Sequence, residues 1–156
     1  MILKLTDIDG ESKIADHEDE IDVIGWSWGA SMPATLHSGG GGGAGKVDIQ
    51  DINITKYVDK SSHNLLKAVA LGRHIPEATL IVRKAGEAPL DFLKLTLTDC
   101  LISSLATGGS PQEDRLTENI TIAFVKFLYE YTPQKEDGSG DSVLPFNFNI
   151  ETNAEE

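Results

Sequence analysis

Gly25-Trp26-Ser27-Trp28-Gly29, followed after a short polar link by Gly39-Gly40-Gly41-Gly42-Gly43-Ala44-Gly45 and then Lys46-Val47-Asp48-Ile49-Gln50-Asp51, is the stretch that decides how this chain reads. Two large aromatic anchors stand beside a long loop almost bare of side chains. That combination predicts a rigid β-scaffold carrying an arm, which fits assembly better than catalysis. Ile21 to Gly29 reads as a strand in which Ile24, Trp26 and Trp28 share one parity and Val23, Gly25 and Ser27 the other. The indoles of Trp26 and Trp28 are therefore expected to anchor the core, with Ser27 on the outer face.

Working outward, residues 2–6 read as a short strand, Asp9-Gly10 as a turn, and Asp16 to Glu20 as a solvated acidic link. Ala30 to Gly45 has no hydrophobic periodicity, and a loop of that length in a compact domain is usually functional or disordered. Val47 to Val58 is strand again, with a phase change that predicts a β-bulge near Gln50-Asp51. One helix is expected over 61–72. Ser61 or Ser62 caps it, Leu65, Leu66, Val69 and Ala70 form its apolar stripe, Gly72 suits its end, and Pro76 stops it. Such a short, one-sided helix must lie on the β-scaffold.

Thr79 to Lys84 and Leu90 to Leu105 flank a turn at residues 85–89, and Leu93, Leu95 and Leu97 alternate with Lys94, Thr96 and Thr98. Ile120 to Thr132 is apolar on both parities, so its second face should meet another sheet or another subunit. A final strand is expected from Val143 to Ile150, after a loop over 133–141 and before a frayed acidic tail, 151–156. The sum is one domain over 1–156, mainly β: an antiparallel β-barrel of two packed sheets, one short flanking α-helix and a long glycine-rich arm.

Thirteen Lys and Arg against 25 Asp and Glu leave a net charge of −12, which disfavours nucleic acid and anionic membranes as partners. Cys100 is alone, so no intrachain disulfide forms. The N-terminus turns acidic before a leader's apolar stretch can develop, which predicts a chain made in the cytoplasm without a cleavable signal peptide. Gly40, Gly45 and Lys46 match the spacing of a phosphate-binding loop, but Val47 stands where a magnesium-binding hydroxyl belongs and a strand follows where a helix is needed. The acidic segment lacks the glycine position and helices of a calcium loop. His17, His37, His63 and His74 have no metal-ligand spacing, and no serine sits in a nucleophile elbow. No catalytic residue, metal or cofactor is expected.

Several ordered blocks nonetheless make the chain resemble the Hcp family, the tube proteins of bacterial type VI secretion systems. They are Asp9-Gly10-Glu11-Ser12-Lys13, Glu20-Ile21-Asp22-Val23, Gly25-Trp26-Ser27-Trp28-Gly29, Gly39 through Gln50-Asp51, Thr55-Lys56-Tyr57-Val58-Asp59-Lys60-Ser61, Arg83-Lys84-Ala85-Gly86, and Thr107-Gly108-Gly109 with Glu113-Asp114-Arg115-Leu116-Thr117-Glu118-Asn119. The resemblance implies a β-barrel subunit of a hexameric ring that stacks into a tube. The tube lies inside a contractile sheath, works with spike and baseplate proteins, is expelled from the cell and carries effector proteins in its lumen. It also implies that His37, Gly39, Gly40, Gly41, Gly42, Gly43, Gly45 and Lys46 form an arm reaching neighbouring subunits or rings, and that Ser27 faces the lumen and its cargo. A closed ring needs two different patches per subunit, and Phe127, Tyr129 and Tyr131 are candidates for one. Two other readings stand beside this: a monomeric barrel binding a small ligand, and a phage-type tail-tube protein.

Overall fold

The structure is a computed structural model that describes residues 1–33, 45–86 and 89–156. Its elements are β1 (Ile2–Leu5), β2 (Ile21–Ser27), β3 (Ala30–Ser31), β4 (Asp48–Ile49), β5 (Ile52–Tyr57), α1 (Ser61–Leu71), β6 (His74–Lys84), β7 (Leu90–Gly108), β8 (Thr117–Tyr131), β9 (Leu144–Asn149) and β10 (Ala154–Glu155). Strands β8-β5-β2-β1-β6-β7 are hydrogen-bonded in that order, and β7 pairs back onto β8, closing a six-stranded antiparallel barrel. The β-barrel with one short helix is thus the fold observed. β9 and β10 extend the sheet beyond the edge of β8.

Alternation explains the interior. Leu93, Leu95 and Leu97 of β7 point inward with Ile52 and Ile54 of β5, Ile120 and Ile122 of β8, and Leu80 of β6. These side chains fill the barrel, so its centre is a packed core. Midway along the wall the alternation slips by one residue on three strands together. Inward positions run Ile75 then Ala78, Cys100 then Leu97, and half-buried Phe124 then Phe127, and these residues pair across the strands. Pro76, which has no N–H to donate, and Asp99, at φ 57°, face one another at this latitude without entering the ladder. The wall bends there, as it does at bulges that curve barrels.

That bend corrects the reading of β8. Its apolar residues lie on both parities because the inward set changes parity near Val125-Lys126, so Ile120, Ile122, Phe127 and Tyr129 line largely one continuous face. β6 also starts at His74, before the expected Thr79, and carries Pro76 within it. In β2 the register shifts between Val23 and Gly25, so the inward set passes from Ile21 and Val23 to Trp26, and Ile24, expected on the face of the tryptophans, is 43% exposed.

The phase change in the second half of the β2–β5 ribbon sits where it was expected. Ser27 pairs with Asn53 and Ala30 with Ile49, so Trp28 and Gly29 lie opposite Gln50, Asp51 and Ile52, one residue more. The helix is rotated relative to its expected stripe. Ser61, Leu65 and Ala68 are buried on β7, whereas Leu66 is 56% exposed. Lys60, not Ser61 or Ser62, stands at its N-cap without a side-chain bond, Asp59 before it accepts the Ser61 N–H at 2.9 Å, and Gly72 ends the helix at φ 59°. The tail does not fray fully: Ala154 and Glu155 pair with Asn149 and Phe148, and Lys126 holds Glu156 at 2.9 Å.

Candidate functional site

Two surfaces of the barrel carry the side chains singled out by the sequence. The first is polar. Ser27 is exposed on the outer side of β2, opposite Asn53 of β5, which is itself opposite Thr121 of β8. Thr121 Oγ1 donates to Asn53 Oδ1 at 2.9 Å, and Thr55 Oγ1 donates to Asn119 Oδ1 at 2.7 Å. At the same level Ser103 of β7 donates to Asp51 at 3.2 Å. Ser27 therefore belongs to a tract of small hydroxyl and amide groups, with the Asp51 carboxylate, running across neighbouring strands. Its other members were legible as the parity opposite to Ile52, Ile54, Ile120 and Ile122, but nothing in the sequence joins the strands in this order.

The second surface is apolar. Beyond the barrel rim, β3 and β4 continue the β2–β5 ribbon, and Trp28, Ala30 and Met32 with Val47 and Ile49 face Phe127 and Tyr129 of β8 and Phe146 and Phe148 of β9. An open groove of about 450 Å³ separates the two faces. At its floor the ring of Trp28 meets that of Phe127 edge-on, with centroids 4.9 Å apart, while its Nε1 donates to the Gln50 carbonyl at 2.8 Å. Phe127 pairs with Phe148, Tyr129 with Phe146 and Tyr131 with Leu144, so the three rows share one side of the sheet. Exposure rises along them: Phe127 is 3% exposed, Tyr131 41%, and on the other strand Phe146 is 44% and Leu144 57%. Among the described residues, none that faces this groove is charged, in a chain whose net charge is −12.

The structure thus places Trp26 and Trp28 half-buried at the rim of the core, with Trp28 also flooring the groove. Phe127, Tyr129 and Tyr131 lie together on the graded apolar face. Gly45 and Lys46 are exposed, and a Cβ on Gly45 would lie 2.9 Å from Pro33 Cγ, so the chain comes close to itself on either side of residues 34–44. His37 and Gly39 through Gly43 lie outside the described residues. Phe146 and Phe148 were missed; their alternation in Phe146-Asn147-Phe148 was the available signal.

Titratable groups form structural clusters. Lys56, fully buried, donates to Glu118 at 2.6 Å and to Asp59 at 2.9 Å. Arg83 donates to Asp91 at 2.6 Å and, through Nη2, to His17 Nε2 at 2.8 Å, leaving His17 Nδ1 to donate to Glu20 at 2.7 Å. The bond from Arg83 holds the Asp91 carboxyl below its usual range. Burial pushes the Cys100 thiol up to about 12, which makes it a poor nucleophile. Among the described residues no group of three or more His, Cys, Asp or Glu is placed to hold a metal ion, and no helix is long and apolar enough to cross a membrane.

Compared with known proteins, residues 2–131 match the family described as "Type VI secretion system effector, Hcp". The chain is 49% identical to Protein hcp1 of Pseudomonas aeruginosa over 157 aligned positions, covering 99% of this chain and 97% of that one. Among solved structures it superposes on a type six secretion system protein with a TM-score of 0.94 at 29% identity, covering 99% and 98% of the two chains. It also superposes on Hcp1 from Salmonella typhimurium with a TM-score of 0.83 at 33% identity, covering 99% and 97%.

Proposed function

Because the chain belongs to the Hcp family of type VI secretion proteins, we propose that it is the building block of that system's inner tube, closing as hexameric rings that stack, are expelled by sheath contraction and carry effectors in the lumen. The observation that carries this reading is the apolar face of β8 and β9, which grades from core to surface and continues into the groove beside β3 and β4. A strongly acidic subunit repels its own copies, so a stable contact between copies needs desolvated apolar area free of carboxylates. This face offers it. In a heterologous ring contact each subunit gives one patch and receives on another; the groove is the receiving one, lined by Phe127 and Tyr129, with Tyr131 beyond them on the same face.

The other assignments follow from the same arrangement. Ser27 and the surrounding hydroxyl and amide tract form the cargo-facing wall, while Gly45 and Lys46 mark where the arm leaves to reach a neighbouring subunit or ring. Spike, sheath, baseplate and effector proteins are its partners. It is cytoplasmic until assembly and leaves with the tube. The filled barrel interior argues against a ligand bound inside it.

Light scattering on a size-exclusion column, with negative-stain images, tests the reading. Ring-shaped particles near 6 × 16.8 ≈ 101 kDa are expected. Tyr131→Asp should shift that mass toward 16.8 kDa while the far-ultraviolet circular dichroism is kept. A monomer at all concentrations of the unmodified chain overturns the tube assignment.

A further inference from the structure

The helix α1 carries a second surface that neither the barrel nor the groove uses. From Lys60 to Pro76 the sequence has no Asp or Glu, in a chain that holds 25 of them. The inward face of the helix is satisfied by Leu65 and Ala68 against the barrel. Its outward face shows His63, Leu66, Lys67, Ala70 and Leu71, where a merely solvated helix would show polar residues. Leu66 is 56% exposed and Leu71 is 78% exposed.

The charges at the two ends are committed. Lys60 binds Asp19 at 2.8 Å and Arg73 faces Asp7 at 3.5 Å, so both ends of the helix are tied to the acidic segments around β1 and β2. Lys67, between the two leucines, makes no ion pair among the described residues. Leu66 with Ala70 and Lys67 with Leu71 form two rows at i, i+4 spacing, with small Ala70 beside the larger side chains.

We propose that the outer face of α1 is a docking surface for a second protein, other than a copy of this chain, that presents an amphipathic helix of leucine-like side chains flanked by carboxylates. Apolar anchors packing over Ala70 between Leu66 and Leu71 give the contact its area, and carboxylates beside Lys67 give it register. A phosphate-bearing surface, whether lipid or nucleic acid, is disfavoured by Asp7 and Asp19 at the ends of the helix and by the net charge of the whole chain.

The test is site-specific photocrosslinking from position 70 of the full chain in the cells that make it, with the crosslinked peptide identified by mass spectrometry. The expected product is a peptide of one other protein in which Asp or Glu flank Leu, Ile or Met at helical spacing. Its yield should fall at least tenfold with Leu66→Glu plus Leu71→Glu, at least tenfold with Lys67→Glu, and markedly in about 0.5 M salt. Crosslinks only to another copy of this chain, to a peptide without carboxylates, or undiminished in the variants overturn the proposal, as does no crosslink. Ring mass is measured on the same samples. An unmodified chain that stays monomeric sinks the tube reading and leaves the crosslink to decide this one.

Discussion

Lys56 shows how a charge is kept inside this barrel. Its ammonium meets Glu118 at 2.6 Å, Asp59 at 2.9 Å and the Tyr57 carbonyl at 2.8 Å, with both Lys56 and Glu118 buried. Removing one partner strands the other, so Lys56→Ala should cost about 3–5 kcal/mol in urea denaturation, whereas Lys56→Met with Glu118→Leu should lose much less. A loss below about 1 kcal/mol for the single change would show that the Glu118 charge is solvated after all. The pair was legible in principle, since Lys56 shares parity with Ile52 and Ile54, and Glu118 with Ile120 and Ile122. What hid it was the prior that a charged residue in a strand faces water. Asp91 carries a pH dependence. Its folded carboxyl titrates below 3.8 because Arg83 donates to it, so its contribution is fully present above 3.8 and is lost as pH falls through the lower folded value. The drop in Tm on acidification below pH 3.8 should therefore be shallower in Asp91→Asn than in the parent, and equal slopes would remove Asp91 from the account.

At the scale of elements, the bend across β6, β7 and β8 depends on residues that tolerate it. Asp99 sits in the left-handed region and its carboxylate lies 3.0 Å from His74 Nδ1. A β-branched side chain there is strained, so Asp99→Val should destabilise by about 1–2 kcal/mol in thermal unfolding, and Asp99→Gly by less. Periodicity revealed the strands because Leu93, Leu95 and Leu97 alternate cleanly. It misplaced the faces of β2 and β8 because one extra residue at Ile24, or a shared bend at Val125, exchanges inside for outside without altering composition. The helix failed in the opposite way: Leu66 and Ala70 looked like core because they are apolar, yet they point outward. The polar tract of β2, β5 and β8 gives a sharper expectation. Ser27→Gln should leave ring mass unchanged and reduce effector retained in co-purification, and dissociated rings would move Ser27 to a contact between copies.

For the whole molecule, charge and topology act together. If copies meet through the uncharged groove, raising salt from about 0.05 to 0.5 M screens their mutual repulsion and should increase the fraction of ring at a fixed low protein concentration. A ring that dissociates with salt would point to ion pairs as the holding contact. The proposed arm and ring rest on the order of motifs along the chain, since nothing in one subunit's hydrophobic pattern encodes a ring. One topological fact reaches into the life of the chain before any ring exists. β8 pairs with β5 along one margin and with β7 along the other, so it alone completes the circle. Until Tyr131 has emerged, β5 and β7 are open margins able to capture a strand from another nascent chain. At about 5–20 residues per second that exposure lasts on the order of ten seconds per chain. The subunit therefore cannot mature segment by segment during translation; it stays sticky and incomplete until nearly all of it has been made, and then closes at once.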